Sequence, residues 1–498
     1  MASALRRPVQ WLCHEFGVAS VYTTGPDTWL VIFSRTCRMF AFGAISLIIA
    51  LFLSALGFSD FRIGLFMTLT LAGDVVLSLA TALVADRIGR RRILLLGGSL
   101  MVLSGAVFAY FENFWILLGA AVVGVVSATG GDFGPFRSVE ESTLSHLTTP
   151  STRSDVLSWY VTTSTLGSAV GTELAGRAVD YLLRFNGRSI INAYHAMFGI
   201  YVAMGALTIV STLLMSKRCE ADESSEQDAM ASEPLLGEEP NAEGSNECHN
   251  ADGSPPASPA TPPEESPRDQ SSPEPQSRLA RMWRLWILLT IDSLADGMVS
   301  YALTNYYLAR KFDLSESYRG DIMSISYLLM SISTIFAAPL ARHLGLINTM
   351  VFTHLPSSAA VLLFPIPQSV GMTITLLFVR TGLNNMDQAP RAAFIAAAVR
   401  PEERTAVMGI TGLLRTLAST IGPSLTGFLA GTDRFWIAFV IAGALRIGYD
   451  LGLFFLFVGL KLHALEPAED QAYDPTRSDE ETTSAEAVDG GRAALARD

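Results

Sequence analysis

Charged side chains at helical spacing inside apolar stretches are the residues here most able to do chemistry. Arg35 and Arg38 sit one turn apart in one stretch, and Asp292 and Asp296 one turn apart in another. Asp132, Arg137, Glu140 and Glu141 surround Gly134-Pro135, while Arg380, Asp387 and Arg391 surround Pro390. Asp74 lies 12 residues before Asp86, roughly 18 Å along a helix axis. Glu173 with Arg177, Arg415, and Arg446 with Asp450 complete the set. Ionisable groups in apolar surroundings are costly and persist where they pair or line a hydrated cavity. A carboxylate that loses and regains an arginine partner changes its proton affinity strongly, enough to bind and release a proton in a cycle. Fixed ion pairs that tie helices together use the same residue types, and both readings stay open for each residue. Thr353-His354-Leu355-Pro356 adds an unusual polar group, either a titrating or a structural histidine.

The elements that must position these residues are apolar blocks of about 20 residues, long enough to cross a bilayer as helices. Half of the 498 residues are hydrophobic and only 16% are charged, with a mean hydropathy of +0.35. A soluble enzyme, a collagen-like chain and a disulfide scaffold are excluded. Blocks near 29–56, 63–84, 93–111, 114–139, 156–183 and 191–215 make a first set of six spans. A second set lies near 283–308, 322–340, 347–364, 370–399, 406–429 and 435–460. The expected organisation is an N-terminal segment (1–28), a six-helix bundle (29–215), a linker (216–282), a second bundle (283–461) and a tail (462–498).

The linker holds ten of the 23 prolines and is rich in Ser, Glu and Asp, a composition that cannot offset its ordering entropy by burial. Linker and tail are expected to be disordered, and five Ser-Pro or Thr-Pro pairs between Ser254 and Pro273 are possible phosphorylation sites. Cys13, Cys37, Cys219 and Cys248 have no framework spacing, so neither disulfides nor a metal site is expected. Residues 1–28 hold no apolar run of signal-peptide length, so the first span is expected to act as its own membrane address. The loop after the second span, Asp86-Arg87-Ile88-Gly89-Arg90-Arg91-Arg92, is the most basic short loop. Basic short loops stay cytoplasmic, which places both termini and the linker inside.

The two sets of spans repeat one another. Shifted by 251 residues, Arg153–Gly176 overlies Arg404–Gly427, with Arg153/Arg404, Thr165/Thr416, Ser168/Ser419, Gly171/Gly422 and Gly176/Gly427 among the identities. Shifted by 256, Gly64 meets Gly320, Met67 meets Met323 and Gly89 meets Gly345. A parallel repeat implies a pseudo-two-fold axis along the membrane normal and a site between the halves that is exposed to each side in turn. The fold class expected is therefore all-α and polytopic, with 12 transmembrane helices in two pseudo-two-fold-related six-helix bundles.

At residues 29–461 the chain resembles the major facilitator superfamily of secondary transporters. Its most specific token is Ala82-Leu-Val-Ala-Asp86-Arg87-Ile-Gly89-Arg90-Arg91, which departs from the family pattern only at Ala82. The resemblance implies that Asp86, Arg87, Gly89, Arg90 and Arg91 form a conformational latch; the alternative is that the arginines serve only as topology anchors. In the second half Arg342 takes the place of Asp86. The Gly-Pro-x-x-Gly-Gly element of drug/proton antiporters is absent from span 5. Its nearest likeness is Gly422-Pro423-Ser-Leu-Thr-Gly427 in span 11. Gly171, Gly176, Gly422, Pro423 and Gly427 are read as helix-packing positions.

In the family the first, fourth, seventh and tenth helices line the central cavity, which implies that the charges on those spans face inward. The expected site has Arg38, Arg137 and Arg391 supplying positive charge. Asp74, Glu140, Asp292, Asp296 and Asp387 would balance it or carry a coupling proton. The function expected is proton-coupled secondary transport of a small solute by a monomer in membrane lipid, without cofactor or metal and without enzymatic activity. Drug exporter and nutrient or anion importer are not separable, nor are plasma and vacuolar membranes. A non-transporting receptor or scaffold on the same fold is the alternative. No nucleic-acid partner is expected.

Overall fold

The computed structural model describes residues 18–124, 126, 136–185, 187, 189–220, 275–388, 390–391, 394–395 and 404–457. Every regular element among them is helical, as hydrocarbon demands of a backbone that must satisfy its own hydrogen bonds. The first half contains α1 (Val18–Thr24), α2 (Pro26–Ala55), α3 (Asp60–Ile88), α4 (Arg90–Tyr110), α5 (Phe114–Val123), α6 (Phe136–Leu147), α7 (Pro150–Phe185) and α8 (Ile190–Leu214). The second contains α9 (Pro275–Met298), α10 (Tyr301–Lys311), α11 (Glu316–Leu344), α12 (Leu346–Leu363), α13 (Val370–Asn384), α14 (Arg404–Gly431) and α15 (Phe435–Phe457). With α5 and α6 forming one span and α9 and α10 another, these make two bundles of six spans.

Seven helices are long and apolar enough to cross a membrane by composition alone, and the bent pair α9–α10 passes as an eighth span. The remaining four spans (α5 with α6, α7, α13 and α14) include the more polar walls of the interior. Helices α5, α6 and α13 are each shorter than a full span at 10, 12 and 15 residues, whereas α7 and α14 carry hydroxyls and charges along a cavity-facing stripe.

Glycine sets how closely the helices approach. A Cβ on Gly43 of α2 would fall 2.7 Å from Ser168 Cα, and one on Gly297 of α9 would fall 2.9 Å from Ser419 Cα, two equivalent crossings inside the two bundles. Between the bundles, a Cβ on Gly427 would lie 2.6 Å from the Asp60 carbonyl and 2.8 Å from Gly64 Cα. On the other side of the pseudo-axis, a Cβ on Gly176 would lie 2.6 Å from the Glu316 carbonyl and 2.9 Å from Gly320 Cα. Gly171 and Gly422 approach the backbones of Phe40 and Gly297 in the same way. Side chains larger than hydrogen would hold these backbones apart.

At the end away from the linker, the bundles are joined by Arg310 Nη1–Asp60 Oδ2 (2.5 Å) and Tyr306 OH–Asp60 Oδ1 (2.6 Å). Arg177 Nη2–Asp321 Oδ1 (3.1 Å), Tyr194 OH–Glu316 Oε1 (2.9 Å) and Asn305 Nδ2–Leu47 O (2.6 Å) add to the seal. Each bundle is also packed there by a ring stack, Phe108 on Phe198 (centroids 4.7 Å apart) and Phe364 on Phe439 (4.9 Å).

Several sequence expectations need correcting. Span 7 is not continuous: it bends by 42° between α9 and α10. The helix that ends span 4 runs to Leu147 and not to 139. The linker is not uniformly unstructured, because Lys217–Cys219 form a 3-10 turn and α9 already begins at Pro275. Asp27 holds the linker's start, accepting from Ser216 N (2.8 Å) and Ser216 Oγ (2.5 Å). Cys219 is fully buried beneath the first bundle with Phe136, Val139 and Tyr160, and burial, reinforced by the Asp27 carboxylate, pushes its thiol up to about 11. The N-terminal segment contributes α1. Residues 221–274 and 458–498 lie outside the described residues, as do Asp132, Gly134 and Pro135.

Candidate functional site

Between the bundles lies a cavity of about 600 Å3. Its walls are stripes at helical spacing. On α7, Val161, Ser164, Thr165 and Ser168 face it; on α14 the repeat-equivalent Gly412, Arg415, Thr416 and Ser419 do so. Helix α9 presents Ser293, Asp296, Gly297 and Ser300. Among the described residues, Arg35, Arg137, Arg380 and Arg391 bring the cationic lining to five arginines with Arg415, against Asp296 as the one carboxylate in the lining.

Behind the first wall is a compact ion cluster. Glu140, on α6, is fully buried and accepts from Arg38 Nη2 (2.5 Å) and Tyr160 OH (2.7 Å), with Arg35 Nη1 at 3.7 Å. The Arg35 guanidinium lies 4.8 Å over the Tyr160 ring and that of Arg38 lies 5.8 Å from the Phe136 ring, contacts that lower the cost of burying guanidinium groups. Of the expected site residues, Arg38 and Glu140 are therefore brought together, but behind the wall, and it is Arg35 that reaches the lining. Arg137 does line the cavity, half-exposed and paired with Glu141 Oε1 one turn on (2.7 Å). Asp74 is buried within α3, away from these groups, and its Oδ1 has no hydrogen-bond partner.

The second cluster is larger. Arg391 bridges Asp292 Oδ2 (3.2 Å) and Asp387 Oδ2 (2.8 Å). Asp292 Oδ1 also has His354 Nε2 at 3.7 Å and Arg446 Nε at 3.9 Å. Arg446, fully buried on α15, donates to Asn384 Oδ1 and to His354 Nε2 (2.7 Å), with Asp296 Oδ1 at 3.6 Å. His354 Nδ1 faces Asp450 Oδ1 at 2.7 Å, and Ser358 Oγ donates to Asp450 Oδ2 (2.7 Å). A guanidinium has only donors, so Nε2 must offer its lone pair, and the proton is assigned to Nδ1 facing Asp450. In this arrangement Nε2 faces an arginine and Nδ1 faces a carboxylate.

The break in span 7 has its own partner. Arg380 on α13 donates to the freed carbonyl of Val299 (2.5 Å) and to Thr304 Oγ1 (3.0 Å), stapling the bend to the cavity wall. Arg415 Nε donates to Ser293 Oγ (2.9 Å). Sequence reasoning named Arg380, Arg415, Arg446, His354 and Asp450 as intramembrane polar groups without placing them in the site. The repeat offset held one signal: position 140 shifted by 251 is 391, so the buried Glu140 and Arg391 are equivalents of opposite charge.

The expected latch lies at the linker end. Gly89 has φ +99 and Gly345 has φ +82, two equivalent tight links that glycine alone adopts readily. The Glu220 carboxylate packs against Gly89, and Arg91 Nη2 reaches the Leu213 carbonyl (3.4 Å). Arg90 is partly buried, with its Nη1 unbonded. The side chains of Asp86, Arg87 and Arg342 lie outside the described residues.

Comparison with known proteins agrees with this architecture. Residues 31–270 and 285–488 match the family model described as Major Facilitator Superfamily. An uncharacterized membrane protein of Saccharomyces cerevisiae, YJR124C, is 31% identical over 428 residues, covering 85% of this chain and 92% of that protein. Among solved structures, the nucleoside transporter NupG aligns with a TM-score of 0.63 at 12% identity, over 88% of this chain and 100% of the other. The inward-open form of the E. coli xylose transporter XylE aligns with a TM-score of 0.61 at 12% identity, over 88% and 98%. At that identity the two structures speak for the fold alone.

Proposed function

Since the chain belongs to the major facilitator superfamily, we propose that this membrane transporter is a secondary active carrier of a small polar solute. It works by alternating access and is driven by a coupled proton. The observation that carries this reading is the asymmetry of the cavity. Glycine crossings between the bundles and inter-bundle ion pairs draw the end away from the linker together. The basic loop 86–92 supports a cytoplasmic linker end, which makes this the cytoplasm-open state.

Rocking the bundles about the cavity would close the linker end and separate Asp60 from Arg310 and Asp321 from Arg177. Proton coupling is assigned to the second cluster. If Arg446 shifts from His354 toward Asp296, Nε2 is freed to take a proton beside Asp292. The positive charge thereby gained replaces the one that left. Asp292, Asp296, Asp387 and Arg391 share this role as acceptors and counter-charge. Arg38 and Glu140 hold the opposite wall, with Arg137 at its rim. Asp74 is assigned no step in this cycle.

Counterflow in proteoliposomes containing the full chain tests the reading. Accumulation of a labelled solute against an excess of the same unlabelled solute, accelerated by an imposed pH gradient, is expected. A panel of polar solutes that gives neither counterflow nor gradient-driven uptake would refute transport; counterflow without a pH effect would refute the coupling alone.

A further inference from the structure

Five arginines line the cavity, but their charges are not equally balanced. Arg391 is bridged by two carboxylates, Arg137 is paired with Glu141, and Arg35 shares Glu140 with Arg38. The lining carboxylate, Asp296, is held by Arg446. Arg380 and Arg415 differ: their hydrogen bonds go to neutral acceptors only, Val299 O and Thr304 Oγ1 for one and Ser293 Oγ for the other. Among the described residues, no carboxylate lies within the 4.0 Å ion-pair distance of either guanidinium. A cation in a membrane interior without a counter-ion is held at a substantial cost. Here two face the same cavity, and among the described residues neither is joined to a carboxylate by a close ion pair.

We infer that Arg380 and Arg415 form the recognition pair for an anionic solute, one carrying a carboxylate or phosphate group. The solute lies against the cavity face of α9 with its hydroxyls toward Ser164, Thr165 and Ser168. The two guanidinium groups are anchored at Ser293 on α9 and at Val299 just past its end, six residues and therefore about 9 Å apart along the line of the helix axis. That separation suits an elongated anion with acceptors toward both ends, bound bidentately at one or each arginine. The repeat gives independent support for specialisation. Position 164 is serine and its equivalent, 415, is arginine, on otherwise matching hydroxyl stripes. So at this one position of the stripe the second wall carries a cation where the first carries a hydroxyl.

Arg380 gives this binding a mechanical consequence. The guanidinium that meets the anion also staples the Val299 carbonyl at the bend between α9 and α10. The α10 segment in turn supplies Asn305, Tyr306 and Arg310 to the sealed end. Anion capture by Arg380 draws its donors away from the bend and loosens the segment that closes the far end.

This inference names the substrate class for the transport reading and rests on it for the occupant's identity. Its test is ligand-dependent thermal stabilisation of the purified full chain, with succinate and glycerol 3-phosphate as anions, glucose as a neutral probe and choline as a cation. The expected result is stabilisation by at least one anion and by neither control. Arg380→Gln and Arg415→Gln should each weaken the apparent affinity about tenfold or more, the scale of a lost charge-assisted bond. The ranking of anions over glucose and choline in the unaltered protein needs no variant, so a variant that fails to fold leaves the test intact. Stabilisation by glucose or choline alone, no response to either anion, or anion binding indifferent to both substitutions would overturn it. Counterflow separates the two ideas. Arginine-dependent anion binding without flux would sink transport and keep this assignment, whereas flux of neutral solutes alone would do the reverse.

Discussion

The two buried ion clusters occupy equivalent places in the two bundles and are wired in opposite ways. In the first, a single carboxylate, Glu140, serves Arg38, Arg35 and the Tyr160 hydroxyl. In the second, Asp292, Asp296, Asp387 and Asp450 face Arg391, Arg446 and His354, and most members have a second partner within 4 Å. The signs are also exchanged, with arginines on α2 against a carboxylate on α6, and aspartates on α9 against Arg391 beyond α13. The first cluster converges on the one carboxylate of Glu140 and is read as a clamp. A cluster with redundant acceptors has several pairings of similar energy and can switch among them.

The sharpest way to break that contrast is to neutralise one acid in each cluster. Glu140→Gln removes the carboxylate that Arg38 and the Tyr160 hydroxyl share, and removing one partner of a buried pair typically costs about 3–5 kcal/mol. A large fall in melting temperature, or loss of the monodisperse species in detergent, is expected. Near-wild-type stability would mean that this cluster, too, has alternative pairings.

Asp292→Asn should behave differently, because Arg391 keeps Asp387 and Arg446 keeps Asp296. Its stability is expected to stay within about 1.5 kcal/mol of the parent, while uptake driven by a pH gradient drops about tenfold, equivalent to about 1.4 kcal/mol of lost coupling. A variant that unfolds while the Glu140 variant does not would reverse the assignment of clamp and switch.

The smallest effect concerns Cys219, which packs beneath the clamp in one core with Phe136 and Tyr160. With its thiol pushed up to about 11, the thiolate fraction at pH 8 is about one in a thousand, so alkylation should be slow and should accelerate as pH rises toward 11. If the clamp keeps this region rigid through the cycle, adding a transported solute changes the labelling rate little. A several-fold increase would show that the base of the first bundle opens during transport.

Much of this architecture was legible in the sequence, for reasons that also explain what was not. Apolar block length and the 251-residue repeat are local or register properties, and they placed the spans, the two bundles and the glycine positions that prove to sit at the crossings. The break in span 7 was not legible. Its compensation comes from Arg380, 81 positions from Val299 and on another helix. Arg446 was singled out with Asp450 but given no role for the same reason, since its partners lie on α9, α12 and α13. Arg38 was expected in the cavity and Arg35 was not distinguished from it. One turn of spacing places both on the same face of α2, but only three-dimensional packing decides which one Glu140 draws behind the wall.

The most direct test of the central claim is sided access to the cavity. Thr416 lines it on α14, and a cysteine placed there (Thr416→Cys) in a chain whose native cysteines are replaced can be titrated with a membrane-impermeant maleimide in vesicles of defined orientation. Labelling from the linker side in the absence of solute, with access from the opposite side gained under a solute gradient, is the predicted result. Labelling from the opposite side alone in the resting state, or from neither side under any condition, would contradict it.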